Sequence, residues 1–348
     1  MEKVPVYNAL ALQINTEAIN TCENRTSAQP IIDANLANIE KYLGGSKAFI
    51  SVFSGTAPKL VVLPEYCLTG FPMGESLPAW QEKACLAQDG PEYERLAAIA
   101  QNNDLYLSGN VYELDPHFPK LYFQTSFIIA PNGNVVCRYR RLISMFAPTP
   151  HDVLDAYLDH YGADSLFPVA DTEIGRLACV ASEEILYPEL TRALTMQGAE
   201  VICHSSSEVG AKNLTPKNIA KRARAYENMC YVVSANSASI TGSAIPAHST
   251  TGGSQVVDYK GEVLVEALAG ESMNGNAMVN IEELRRVRRK PAMTNTVARQ
   301  RFEIFKDTYS KSIYPANNIA ENSVPERAHF LEAQAQVISN LLANGVLK

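Results

Sequence analysis

No apolar run in this 348-residue chain approaches membrane-spanning length, so the sequence offers nothing for a bilayer to hold. No long block of like charge stands out either. The net charge is −7, and the strongest basic cluster, Arg285-Arg286-Val287-Arg288-Arg289-Lys290, is short and follows an acidic, helix-like stretch. Nucleic acid and anionic membrane are therefore poor partners, and the cluster reads as a solvated face or a subunit contact. The seven cysteines are scattered, odd in number and never in a CxxC pair, which argues against a disulfide framework and against a zinc site. Most sit in apolar contexts, where cysteine behaves as a small, inert hydrophobe. No secretory signal pattern opens the sequence, so a reducing cytoplasm is the expected compartment. Internal repeats and low-complexity linkers are missing too.

What is present is the composition of a globular protein with a large core, 46% hydrophobic and 19% charged. Strand-like runs at Tyr7–Asn15, Leu60–Pro64, Leu105–Tyr112, Phe123–Ala130, Leu177–Ala181, Ala199–His204 and Cys230–Asn236 alternate with helical periodicity at Gln29–Leu43, Pro91–Asn102, Glu189–Gln197 and Pro216–Met229. That alternation predicts a layered α/β fold. The turn Pro131-Asn132-Gly133-Asn134 and a second one around Tyr259-Lys260-Gly261 predict hairpins, and hence mixed rather than purely parallel sheets. One domain is expected over residues 1–290. A polar extension, 291–348, ends in an apolar helix near Pro325–Leu342 that packs on its own subunit or on a partner.

The most informative stretch is Leu60-Val61-Val62-Leu63-Pro64-Glu65-Tyr66-Cys67-Leu68-Thr69-Gly70-Phe71. A short apolar run ends on a carboxylate, with a Pro and a Gly shaping the turn; a sheet presents a catalytic base at its rim in this way. A plain strand followed by a solvated Glu would show the same local pattern. Further motifs follow in order: Gly109-Asn110-Val111-Tyr112-Glu113, Tyr139-Arg140-Arg141, Ile185-Leu186-Tyr187-Pro188-Glu189-Leu190 with Gln197-Gly198-Ala199-Glu200-Val201, Arg222-Ala223-Arg224-Ala225-Tyr226-Glu227-Asn228, and Gly252-Gly253-Ser254-Gln255-Val256-Val257-Asp258. Together they resemble the nitrilase (carbon–nitrogen hydrolase) superfamily from about residue 5 to residue 290.

The resemblance implies a four-layer α-β-β-α sandwich with two mixed β-sheets, assembled into homodimers or larger homo-oligomers. It also implies a Glu-Lys-Cys triad that cleaves a small amide-like or nitrile substrate through a covalent acyl-enzyme, with no metal and no cofactor. Glu65 falls at the base, Glu113 at a second, supporting glutamate, and Arg141 where the family has lysine. Two alignments compete for the nucleophile. Counting back from Tyr187-Pro188-Glu189 places Ser182 there; counting forward from Ile174-Gly175 places Cys179 there. Ser182 is favoured, because it closes the apolar run just before the acidic and helical residues, where a nucleophile on a strand-to-helix turn belongs. Arg141 cannot usefully donate a proton but can hold an oxyanion or a carboxylate bidentately. Altered catalysis through Ser182 and a lapsed site that binds a ligand or protein partner both remain open. Glu184, Tyr187 and Ser206 are candidates for substrate contact. His151 and His160 lie in the long connection after Arg141, where substrate choice is often set.

Overall fold

The computed structural model describes residues 3–211, 213–320 and 323–348. Strands β1 (Tyr7–Ala11) and β2 (Asn15–Glu17) precede the long helix α1 (Arg25–Ser54). Then come β3 (Pro58–Val62), α2 (Leu77–Ala84), α3 (Pro91–Asn103), β4 (Tyr106–Leu114), β5 (Tyr122–Ile129) and β6 (Val135–Arg140). After α4 (Leu154–Tyr161) the second half runs β7 (Ala170–Thr172), β8 (Gly175–Ala181), α5 (Pro188–Met196), β9 (Val201–Ser206), α6 (Pro216–Asn228), β10 (Tyr231–Asn236) and β11 (Ser239–Thr241). It closes with β12 (Gln255–Val257), β13 (Val263–Glu266), β14 (Asn276–Val279), α7 (Ile281–Arg288), α8 (Phe302–Tyr309) and α9 (Arg327–Ala343).

Twelve of these strands form two six-stranded sheets, ordered β14-β1-β3-β4-β5-β6 and β13-β12-β10-β9-β8-β7, and β2 pairs with β11 in a small parallel sheet. In each six-stranded sheet, the central strands run parallel and the pairings toward both edges are antiparallel, so both sheets are mixed. Side-chain alternation then sorts the core into layers. Ala9, Ala11, Leu60, Val62, Ile128 and Tyr139 of the first sheet meet Leu177, Cys179, Val201, Cys203 and Val233 of the second. The opposite face of the first sheet packs Leu107, Phe123 and Phe127 against Leu36, Ile39, Leu43, Trp80 and Leu96 of α1–α3. That of the second packs Ala178, Val180, Ile202 and Val232 against Leu194, Ala220 and Ala225 of α5 and α6. The result is the four-layer α-β-β-α sandwich.

Two local expectations change. The helix expected over Gln29–Leu43 is longer at both ends: α1 begins at Arg25, where the side chains of Asn24 and Ser27 form a reciprocal cap on the first turn, and runs to Ser54, where Gly55 takes the left-handed cap. The connection after Arg141 is also not a bare loop. Pro150–Val153 forms a 3-10 turn that runs into α4, with Thr149 and Asp152 capping it reciprocally. His160 there stacks on His117 at 4.1 Å, and His151 faces the Tyr314 ring at 6.2 Å. Helix α9 buries Phe330 and Val337 and leaves Leu331, Ile338 and Leu342 exposed; Arg327 at its start lies 3.8 Å over the Phe146 ring. Among the described residues no helix is long and apolar enough to cross a membrane.

Candidate active site

The site grows from the C-terminal ends of β3, β8 and β9. Parallel β8 and β9 pair Ala181 with Ser205, which sets the next residues, Ser182 and Ser206, side by side as both strands end. The first sheet is tied to the same point: the Ser205 hydroxyl donates to the Leu63 carbonyl at 2.8 Å, and the Glu65 N–H donates to the Ser206 carbonyl at 3.2 Å. These two bonds carry Glu65 from one sheet to the strand ends of the other.

Both turns are bent out of ordinary backbone. Tyr66 has φ 60° and Ser182 has φ 50°, left-handed values that non-glycine residues rarely take. Such conformations cost on the order of 1–3 kcal/mol and persist where surrounding structure over-determines them. At Ser182 the restraints are visible. The buried His204 ring donates from Nε2 to the Ser182 carbonyl at 2.8 Å and contacts Ser234 Oγ through Nδ1, also at 2.8 Å. A carbonyl can only accept, so Nε2 carries the proton and Nδ1 accepts from the Ser234 hydroxyl. Burial, and the Lys221 ammonium beside it, push the His204 pKa well below its usual range, so the ring stays neutral and holds this tautomer. Further on, Gly70 at φ 71° completes the turn after Glu65; a Cβ there would stand 2.5 Å from that of Ala18.

Glu65 is fully buried. Gln124 Nε2 donates to Oε1 at 2.7 Å, Ser207 Oγ donates to Oε2 at 2.9 Å, and Arg141 Nη1 lies 3.8 Å from Oε1. Gln124 is itself set by Asn110, through a 2.9 Å bond to Oδ1. Arg141 donates from Nη1 to Gln124 Oε1 at 2.6 Å and from Nε to the Ile143 carbonyl at 2.8 Å, and Nη2 pairs with Glu183. Its guanidinium therefore joins the Glu65 corner to the acidic turn beginning at Ser182. Ser182 is buried, and its Oγ lies 3.2 Å from Lys217 Nζ, which also reaches Ser206 Oγ at 3.4 Å.

Glu113, expected to support Glu65, stands elsewhere. Asn110 of β4 points toward the Glu65 corner; Glu113, three residues on, points to the opposite face of the strand. There it accepts from Tyr93 OH at 2.8 Å and pairs with Arg138 and Arg140. Cys179 also lies outside the cluster. Its side chain is fully buried between the sheets, with Sγ 3.7 Å from Ser108 Oγ and 3.9 Å from the Phe127 carbonyl. Glu184 serves the backbone instead of an open cavity. It accepts from Tyr139 OH at 2.9 Å and from the N–H groups of Leu142, Ile143 and Ala181 at 2.8, 3.0 and 3.3 Å, and burial pushes its carboxyl up to about 7. It thus pins the Arg141 loop to the Ser182 turn. Tyr187 is 40% exposed at the end of that turn. Lys217, Gln124 and His204 were missed by sequence reasoning. One signal was available for Lys217: it follows Thr215-Pro216, a helix start, where a basic residue runs against the helix dipole and needs another reason to be there.

The structure thus places a buried strained turn bearing a hydroxyl beside a carboxylate, a guanidinium and a lysine at the strand ends of an α-β-β-α sandwich. The particular family follows from comparison: the carbon–nitrogen hydrolase model matches residues 25–289, and the chain belongs to that family, within the nitrilase superfamily. It is 33% identical over 186 residues to a hydrolase from the pqqF 5' region of Pseudomonas protegens, covering 52% of this chain and 59% of that one. It is 26% identical to the deaminated glutathione amidase of Yersinia enterocolitica, over 66% of this chain and 76% of the relative. The chain thus spans about three fifths of the length of the first of these relatives. The crystal structure of Saccharomyces cerevisiae Nit3, a nitrilase-superfamily member, shares the fold with a TM-score of 0.63 at 19% identity, covering 83% of this chain and 95% of that one.

Proposed function

We propose that this protein hydrolyses the carbon–nitrogen bond of a small amide-like substrate by acyl transfer through Ser182. The observation that carries the reading is the Ser182 turn: a buried hydroxyl on a left-handed backbone at the end of β8, within hydrogen-bond reach of Lys217 and joined to Glu65 through Ser206 and Arg141. A nucleophile held on such a turn is aimed by backbone strain rather than by a mobile side chain. Membership of the family and the amidase activity named for a relative support the bond type. Glu65 binds the substrate amide N–H and polarises the site, Arg141 holds Glu65 and Glu183 in register, and Ser206 and Tyr187 line the approach. The reaction needs no metal or cofactor, and the protein works in the cytoplasm as a homodimer or larger homo-oligomer. Sedimentation as a monomer at micromolar concentration would remove the oligomer.

One observation favours a second reading, a site that binds a ligand without turnover. Where the family has lysine, Arg141 spends its donors on Gln124, Ile143 and Glu183. The test is ammonia release over small amides, carbamoyl compounds and nitriles, with wild type beside Ser182→Ala, Cys179→Ala and Arg141→Lys. Release lost only in Ser182→Ala supports the serine reading. Loss only in Cys179→Ala would return the nucleophile to the core cysteine. No release by wild type on any compound, with binding retained, would replace hydrolysis by the lapsed site.

A further inference from the structure

The Ser182 hydroxyl needs a proton acceptor, because a neutral serine is a weak nucleophile. Glu65 is the acceptor that the resemblance suggests, yet its oxygens are held by Gln124 and Ser207 at 2.7 and 2.9 Å. The group in contact with Ser182 Oγ is a different one, Lys217 Nζ, at 3.2 Å. Helix α6 delivers it: Thr215 caps the helix by accepting from the Asn218 N–H at 3.1 Å, Pro216 fixes the first turn, and Lys217 follows. Nζ has the Ser206 hydroxyl as its other polar neighbour, at 3.4 Å, and forms no ion pair with a carboxylate among the described residues. Its nearest charged companion on the helix is Lys221, one turn further along, which is buried and bonded to Asn218 Oδ1 at 3.0 Å. Nothing at Nζ resembles a structural salt bridge. What the first turn of α6 offers there is an amine directed at a hydroxyl.

Resting on the acyl-transfer reading above, we infer that Lys217 is the catalytic base and acid of the reaction, forming a serine–lysine pair with Ser182 in place of a carboxylate–thiol pair. As Oγ attacks the substrate carbonyl carbon, the Oγ–C bond forms, the carbonyl π pair moves onto oxygen, and the Nζ lone pair takes the hydroxyl proton. On collapse the C–N bond breaks, its electron pair stays on nitrogen, and Nζ returns the proton to that nitrogen, which leaves as amine or ammonia. Water then gives a proton to Nζ while its oxygen adds to the ester carbon; the C–Oγ bond breaks and Oγ recovers the proton from Nζ. Lysine can do this and arginine cannot, since the guanidinium keeps its charge. General base catalysis is worth about 10²–10⁴-fold.

The experiment is sulfonylation of Ser182 by phenylmethanesulfonyl fluoride, located by peptide mass spectrometry, which needs no knowledge of the natural substrate. In that step the Oγ–S bond forms, the S–F bond breaks, fluoride leaves and Nζ takes the hydroxyl proton. Wild type should be labelled at Ser182. Lys217→Arg and Lys217→Ala, both checked for folding by circular dichroism, should label at least about 100-fold more slowly. Ethylamine should restore labelling of Lys217→Ala, and guanidine should not; a lysine needed only for folding would show no such rescue. Labelling of Lys217→Arg near the wild-type rate would overturn the inference, because charge alone would then suffice, and so would a wild type unlabelled at Ser182. Labelling that depends on Lys217 without hydrolysis of any amide would sink the proposed function and leave the serine–lysine pair standing.

Discussion

Two buried carboxylates lie in or just beyond neighbouring strands of the same sheet, and their surroundings divide them. Glu113, near the end of β4, is enclosed. Arg138, Arg140 and Tyr93 take its oxygens, and Arg140 is sandwiched among Phe123, Tyr157 and Tyr161 at 4.9, 5.4 and 4.5 Å from their centroids. Asp115 pairs with the same guanidinium. Every charge there is met by an opposite charge or an aromatic face, which suits a structural strut. Glu65, in the turn after β3, is held by neutral donors from Gln124 and Ser207, and its guanidinium partner stands at 3.8 Å. One network faces the helices and closes; the other faces the strand ends, where the Ser182 turn begins. Buried charge by itself therefore does not mark a catalytic group; what matters is what lies next to it.

Substitutions can break that contrast. The largest effect is expected for Glu113→Ala, which leaves Arg138 without its carboxylate and Arg140 with Asp115 alone, and should cost about 3–5 kcal/mol in denaturant unfolding. A loss below 1 kcal/mol would mean that Asp115 and the aromatic rings alone satisfy Arg140. Next is the pH dependence of stability. Glu184 has an ordinary pKa of 4.5 and is pushed up to about 7 by burial. Between those values the folded state holds a proton that the unfolded chain has lost, so stability falls as pH rises through that window, by about 3 kcal/mol in all, and levels off above it. Thermal unfolding across this range should decline in wild type and flatten in Glu184→Gln; equal slopes would assign the pH dependence to other groups. Glu65→Gln should cost less stability than Glu113→Ala, since an amide still fills the site, while amide turnover drops about 100-fold. A variant as active as wild type would remove Glu65 from the chemistry. The smallest change is expected for Cys179→Ala, about 1–2 kcal/mol from the cavity left between the sheets, with turnover within a factor of about 2.

Much of the framework was legible because hydrophobic periodicity and turn chemistry are local. The strand runs at Leu60–Pro64 and Leu177–Ala181 reappear as β3 and β8, the Asn132-Gly133 turn closes the β5–β6 hairpin, and Gly198 stops α5. The start of α1 was set too late, at Gln29, because apolar periodicity begins there, while the Asn24–Ser27 cap that starts the helix is a matter of side-chain geometry. Glu65, Arg141 and Ser182 could be picked out as chemistry-bearing residues. Glu113 could be named but not oriented, because its face depends on the register of β4 against β5.

The sequence by itself determined the class of fold, the mixed sheets and the strand ends at which polar groups collect, since those follow from which residues repeat along each element. Tertiary structure alone decided which groups touch. Lys217 is 35 residues from Ser182, Gln124 is 59 from Glu65, and Ser207 is 142 from Glu65, separations over which no local propensity acts. Only the stacking of one sheet on the other, and the docking of α6 over the end of β8, put a lysine amine on the serine hydroxyl and a glutamate at its side.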